Sequence, residues 1–195
     1  MSTPTNLEVE IKLALADDLT AIQHILRAAK LQITKPRVFE TNVVFDTHSL
    51  SLHKNHELIR IRRVGANSIL TYKGPPQPGE HKTREEIETS IGDPAQLKLI
   101  LLRLGYKPTF RYEKFRTEFG QLGAPGVVTL DETPIGNFLE IEGDPLRINR
   151  LANELGFSKS AYLNHSYASL YRAYCEKHGL ALTNMVFANP PSSTP

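Results

Sequence analysis

Residues Leu7 to Leu13 alternate polar and apolar side chains without a break, and this period of two constrains the chain more than any other feature. Successive side chains of an extended strand point to opposite sides, so Glu8, Glu10 and Lys12 share one face and Val9, Ile11 and Leu13 share the other. The alternation returns over Val43–Asp46, Leu58–Arg63, Ser68–Lys73, Lys82–Thr89, Phe110–Phe119, Val127–Glu132 and Asn137–Glu142. Parity aligns Arg60 with Arg62, Thr71 with Lys73, Arg84 with Glu86 and Glu88, Lys114 with Arg116, and Glu140 with Glu142, while Asp131 joins from its own strand.

A sheet with one wet face also carries charge on that face. Here the charged positions hold long ionic side chains at i and i+2, where ordinary exposed faces mix in Thr, Ser and Gln. The signs are partly sorted as well, with basic segments in the middle of the chain and acidic ones at its two ends. If such a sheet closes into a barrel, its charged face becomes the lumen and its apolar face packs against helices. Cations gathered there repel one another, since like charges ~4 Å apart cost about 4 kcal/mol at an effective dielectric near 20. They call for a polyanion. The crowded carboxylates raise each other's pKa unless a cation intervenes, and oxygen ligands without a Cys or His cluster point to Mg²⁺ or Mn²⁺ rather than zinc.

Helical spacing appears over Asp17–Lys30, Pro94–Leu104, Pro145–Leu155 and His165–His178. Gly105, Gly156 and Gly179 suit the stops of three of these, and Pro94 and Pro145 suit first turns, so the class is α+β. With 195 residues and 40% hydrophobic content the chain suits one domain over 1–182. From Thr183 the sequence drifts into Asn-Pro-Pro-Ser-Ser-Thr-Pro, and 183–195 reads as a flexible tail. The loop from Gly74 to Gly79 reads as a hairpin connection.

Lysine and arginine (23) nearly cancel aspartate and glutamate (21), which gives no reason to expect nucleic acid or an anionic membrane as partner. The longest apolar run is too short to cross a bilayer, Met1–Asn6 is too polar for a signal peptide, and the single Cys175 fits a reducing compartment. The chain is expected to be cytoplasmic, as a monomer or homodimer. His48, His53, His56 and His81 lie in polar loop or hairpin regions and are assigned no role.

These blocks resemble the CYTH superfamily, the triphosphate tunnel metalloenzymes. Glu8-Val9-Glu10-Ile11-Lys12 is similar to its N-terminal Glu-x-Glu-x-Lys strand. In order follow Leu58-Ile59-Arg60-Ile61-Arg62, Leu70-Thr71-Tyr72-Lys73-Gly74-Pro75, Arg84-Glu85-Glu86-Ile87-Glu88, Lys114-Phe115-Arg116, and Leu130-Asp131 leading to Gly136–Glu142. Ser166-Tyr167 looks like a Ser-Tyr pair near the family's C-terminal helix, read here as packing.

The resemblance implies a closed eight-stranded antiparallel tunnel with helices outside, acting on a triphosphate-containing small molecule. It implies phosphate binding by Arg60, Arg62, Lys73, Arg84, Lys114 and Arg116, and Mg²⁺ or Mn²⁺ bound by Glu8, Glu10, Glu88, Asp131, Glu140 and Glu142. Lys12 and Glu10 would be the catalytic pair. Several family triphosphatases carry a further lysine near the C-terminus, for which Lys159 and Lys177 are candidates that read equally well as solvated side chains. Hydrolysis of inorganic triphosphate is the leading expectation, a class IV adenylate cyclase the alternative, and a non-catalytic polyphosphate- or nucleotide-binding module the third.

Overall fold

The computed structural model describes residues 6–15, 18–121 and 123–189. The strands are β1 (Leu7–Ala14), β2 (Gln32–Thr47), β3 (Leu58–Val64), β4 (Asn67–Lys73), β5 (Lys82–Ile91), β6 (Tyr106–Gln121), β7 (Ala124–Thr133) and β8 (Gly136–Glu142). All pair antiparallel and close into a barrel in the order β1-β5-β4-β3-β2-β6-β7-β8. Closure depends on β1, which bonds β5 along one edge and β8 along the other.

Five helices flank it: α1 (Leu19–Ala28), α2 (Ser51–Lys54), α3 (Pro94–Arg103), α4 (Pro145–Glu154) and α5 (Tyr167–His178), with a 3₁₀ turn at Lys159–Ala161. Local chemistry sets their starts. Asp18, Asp93 and Asp144 each accept two backbone N–H groups from the first turns of α1, α3 and α4, and Ser166 accepts from Ser169 at the start of α5. Pro94 and Pro145 occupy first-turn positions where a missing N–H costs nothing. Asp17, placed by sequence at the start of α1, lies outside the described residues.

The barrel wall follows the parity argument. Outward-facing Ile11, Leu13, Val128, Leu130, Leu139 and Ile141 form the main core with Ile22 and Leu26 of α1 and Ile148 and Leu151 of α4. Phe45 and Ile61 form a second core with Leu101 of α3.

Strand β2 is far longer than the expected Val43–Asp46. Its first half contains Pro36, and its register against β6 shifts between Ile33 and Lys35 and again between Lys35 and Val38, so the alternation breaks where the strand bulges. Strand β6 likewise begins before the expected Phe110, with Pro108 in its opening stretch.

Thr183 to Asn189, the first part of the segment read as a flexible tail, is held along β6. The pairing of β6 with β7 begins at Phe115 and leaves the Arg111–Glu113 edge open on that side. There the Met185 N–H donates to Arg111 O at 3.0 Å and the Glu113 N–H to Met185 O at 2.9 Å. Met185 is fully buried, and the Phe187 ring packs on Phe39 and Phe115. Met185 and Phe187 give the strap its hold; residues 190–195 lie outside the described residues. Among the described residues no helix is long and apolar enough to cross a membrane.

Candidate active site

A cavity of about 1290 Å³ runs through the barrel, and all the sequence-expected site residues except Asp131 line it. The lumen holds two charged networks of different character.

The first is closed and centres on Asp131, which is wholly buried. Its Oδ2 accepts from Lys114 Nζ at 2.8 Å, Arg116 Nη2 at 2.6 Å and the Tyr167 hydroxyl at 2.6 Å, and its Oδ1 accepts from Arg116 Nε at 2.6 Å. Burial opposes the charge, and the Arg116 and Lys114 cations more than offset it, so the carboxyl lies below the usual range. Arg116 also bonds Glu140, which pairs with Lys12 at 3.2 Å. Against the cost of burial, Lys12, Arg116 and Lys114 hold Glu140 well below the carboxylate range, while Glu140 and Glu10 hold the Lys12 ammonium above the ordinary lysine value. Asp131, expected as a metal ligand, is thus filled by protein donors and serves as counter-charge to Lys114 and Arg116.

The second network is open. Glu8 takes Lys73 Nζ at 2.8 and 2.6 Å, and Glu10 takes Lys82 Nζ at 2.6 Å. Glu142 stands directly across from Glu10 in the β1–β8 register, a like-charge pairing that disfavours the sheet when uncompensated. Burial, then Glu8 and Glu10, push the Glu142 carboxyl upward. Burial, with help from Glu8 and against Lys73, pushes Glu86 up to about 7. Lys82 moves down, through burial and through Lys12 and Arg84, although Glu10 resists. This side of the lumen carries charge that its own partners do not balance.

Between the two, Glu88 accepts from Arg62 at 3.1 and 3.2 Å and from Thr71 at 2.7 Å, and Arg60 reaches Tyr112 at 3.1 Å. Nε of Arg60, Arg62 and Arg84 and both amide atoms of the wholly buried Asn42 have no partner among the described residues. Donors left unpaired in a polar lumen are costly unless a ligand meets them.

Glu8, Glu10 and Glu142 are hard oxygen donors on adjoining strands, and their mutual repulsion is the condition a divalent cation relieves, so the donor set fits Mg²⁺ or Mn²⁺. Among the described residues no three carboxylate or imidazole groups are gathered tightly enough to hold an ion as they stand. Lys73 and Lys82 occupy Glu8 and Glu10 instead.

Sequence reasoning missed several lumen residues. Lys82 and Tyr112 share the parity of Arg84 and Lys114, so the signal for both was present; Glu40 and Asn42 lie in the regular Val38–Val44 register of β2, just before the expected Val43–Asp46 strand, and share the parity of Val44 and Asp46. Tyr167 was read as packing alone. Of the candidate C-terminal lysines, Lys159 pairs with Glu80 on the surface and Lys177 is exposed. Near one mouth of the cavity the lining turns apolar at Val44, Leu58, Phe110 and Leu182, beside His53, His56, Thr109 and Arg172.

The sequence profile of the CYTH domain matches residues 6–161. A protein of Methanocaldococcus jannaschii named "putative adenylate cyclase" is 29% identical over 174 residues, spanning 84% of this chain and 98% of that protein. The solved PH1819 protein of Pyrococcus horikoshii superposes with a TM-score of 0.71 at 27% identity, over 86% of this chain and 99% of that one. A Hippeastrum protein, described as a "putative adenylyl cyclase" that reveals a dominant triphosphatase activity, superposes with a TM-score of 0.66 at 21% identity, over 90% and 97%.

Proposed function

This chain belongs to the CYTH family, and we propose that it hydrolyses a short triphosphate, inorganic triphosphate above all, within the barrel lumen. The observation that carries this is the mirrored charge of the cavity wall. Its arginines and lysines are held by carboxylates at hydrogen-bonding distance, and a bound polyanion with its counter-cations would replace both sets of partners at once. Anion binding alone would be better served by cations without this acidic set.

In this reading Arg60, Arg62, Lys73 and Arg84 turn from their carboxylates to the phosphate oxygens, Lys114 and Arg116 reach the same oxygens without leaving Asp131, and together they fix the chain of phosphates along the lumen. Glu8, relieved of Lys73, would hold Mg²⁺ or Mn²⁺ together with Glu10 and Glu142, with Glu88 and Glu140 as further carboxylates of the lumen. The bound cation would neutralise phosphate charge as the reaction proceeds. Asp131 stays as the counter-charge of Lys114 and Arg116. Glu10 orients a water toward the terminal phosphorus, and Lys12 stabilises charge on the phosphoryl oxygens. Water forms the new P–O bond as the bridging P–O bond breaks, and phosphate and pyrophosphate leave. Phosphoryl transfer asks mainly for positioning and charge stabilisation, and this wall is suited to both. The triphosphatase activity described for the Hippeastrum protein supports the same chemistry.

A second reading, an adenylate cyclase, is favoured by the apolar mouth at Val44, Leu58, Phe110 and Leu182, which has the character needed for a base attached to the triphosphate, and by the name of the M. jannaschii relative. Incubation with inorganic triphosphate, ATP and thiamine triphosphate under Mg²⁺ and under Mn²⁺, with product identification, tests both. Free phosphate from inorganic triphosphate is the expected result. Cyclic AMP with pyrophosphate would transfer the assignment to the cyclase. Tight triphosphate binding that is indifferent to chelator and without turnover would reduce the protein to a binding module.

A further inference from the structure

Segment 163–167 is fastened to β1 at a single residue, Lys12, by main chain and side chain together. The Leu163 N–H donates to Lys12 O at 2.8 Å, and the Lys12 ammonium donates to His165 O at 3.2 Å. Two residues further on, the Tyr167 ring lies beneath the same ammonium, 4.1 Å from Nζ to the ring centroid, while its hydroxyl donates to Asp131 at 2.6 Å. The ring is also 5.2 Å from Lys114 Nζ and sits edge-on to Phe138 and tilted against Tyr112, which fixes its plane. Tyr167 therefore touches directly both ends of the closed network, Lys12 and Asp131, which Arg116 and Glu140 otherwise link in series.

A lysine ammonium has three N–H donors. Glu140 and His165 O take two of them. The ring face stabilises the positive charge through its quadrupole and offers no lone pair, so an N–H turned toward it is held far more weakly than by a carboxylate. The third N–H is thus left for the lumen, which Lys12 lines. A carboxylate in place of the ring would have taken that hydrogen.

We propose that Tyr167 is a positioning residue for the triphosphate chemistry: its ring holds the Lys12 ammonium with one N–H free for a phosphoryl oxygen, and its hydroxyl ties that arrangement to Asp131. This rests on the hydrolase assignment above. It also makes helix α5, which carries Tyr167 as its first residue behind the Ser166 cap, part of the finished site rather than an outer layer.

The experiment compares Tyr167→Phe, Tyr167→Leu, Lys12→Ala and the double variant Lys12→Ala/Tyr167→Leu. The readouts are kcat and KM for inorganic triphosphate per folded protein, and the shift of the Lys12 ε-methylene protons in substrate-free protein. Tyr167→Leu is expected to lower kcat about tenfold, which corresponds to ~1.4 kcal/mol, with KM changed less than about twofold and the upfield ring-current shift of Lys12 abolished. Tyr167→Phe keeps the ring and should retain the Lys12 shift and most of kcat. In the Lys12→Ala background the second substitution should cost nothing further, because its effect passes through Lys12.

A Tyr167→Leu enzyme with unchanged kcat per folded protein, or a double variant whose loss is the product of the single losses, would overturn the proposal and leave a packing role. Absence of the ring-current shift in the unaltered protein overturns it without any assay. Unaltered protein that shows the shift but releases no phosphate from triphosphate defeats the hydrolase assignment instead, so the two failures are told apart.

Discussion

Asp131 and Glu142 are both lumen-side carboxylates of the same sheet wall, on the neighbouring strands β7 and β8, yet their surroundings are opposite. Asp131 is wholly buried with Lys114, Arg116 and Tyr167 all donating to it, and its pKa is lowered. Glu142 is more exposed than Asp131, faces Glu10 across the register, and is raised by its partial burial and then by Glu8 and Glu10. Burial alone therefore does not mark a functional carboxylate. The saturated one holds the wall together, and the under-compensated one is where a cation is worth most. Sequence parity puts both on the same face and cannot separate them, since the difference lies in which cations the neighbouring strands bring alongside.

The contrast can be broken most severely at Asp131. Asp131→Asn leaves Lys114 and Arg116 buried without their counter-charge, and breaking a buried pair in this way costs about 3–5 kcal/mol. Chemical denaturation should show that loss, and an unchanged midpoint would remove Asp131 from its structural role. Next in size is Glu142→Gln, expected to lower metal-dependent turnover by about 10²–10³-fold, the scale set by losing one preorganised electrostatic group, while the fold survives. A fully active variant would contradict the metal assignment. Adding inorganic triphosphate with Mg²⁺ at ~100 times its Kd should stabilise the folded protein by about 2.7 kcal/mol, read as a rise in Tm that EDTA reverses. Arg62→Ala, which removes one phosphate contact and leaves Glu88 held by Thr71 and Arg60, should raise KM roughly tenfold, or ~1.4 kcal/mol, with kcat little changed.

The smallest effect sharpens the comparison through pH. A carboxylate whose folded pKa is raised binds its proton more tightly in the native state, so its contribution to stability falls as pH rises from the ordinary value of 4.5 through the raised one. In metal-free protein, Glu142→Gln should therefore match the unaltered chain below that window and melt slightly higher above it. The same comparison at Asp131, whose pKa is lowered, has the opposite sign: its stabilisation is present above the ordinary value and is lost as pH falls through the depressed one.

Much of the barrel was legible because a period of two is a strict rule. Glu8, Glu10, Lys12, Arg60, Arg62, Lys73, Arg84, Glu88, Lys114, Arg116, Glu140 and Glu142 all reach the cavity. What failed to show had local causes. The expected strand at Val43–Asp46 stops short of Glu40 and Asn42, although both lie in the regular Val38–Val44 register; only the stretch before Val38 is broken by Pro36 and the register shifts near it. The short helix α2 follows Leu50, whose left-handed backbone (φ 56°) no pattern of apolar residues announces. Tyr167 belongs to a helix, so strand parity says nothing of it, and only the fastening of 163–167 to β1 reveals that its ring enters the barrel.

Barrel closure also bears on how the protein comes into being. Strand β1 emerges from the ribosome first of all the strands, and its partner β8 last, so Glu10 meets Glu142 only when nearly the whole barrel has been synthesised. Contacts so remote in sequence form late and slowly, because the entropy of closing the intervening chain must be met before they stabilise anything. Until then β1 can pair only with β5, and its acidic ladder lacks the β8 wall. A chain that ends before β8 lacks Glu142 and so cannot assemble the Glu8–Glu10–Glu142 corner.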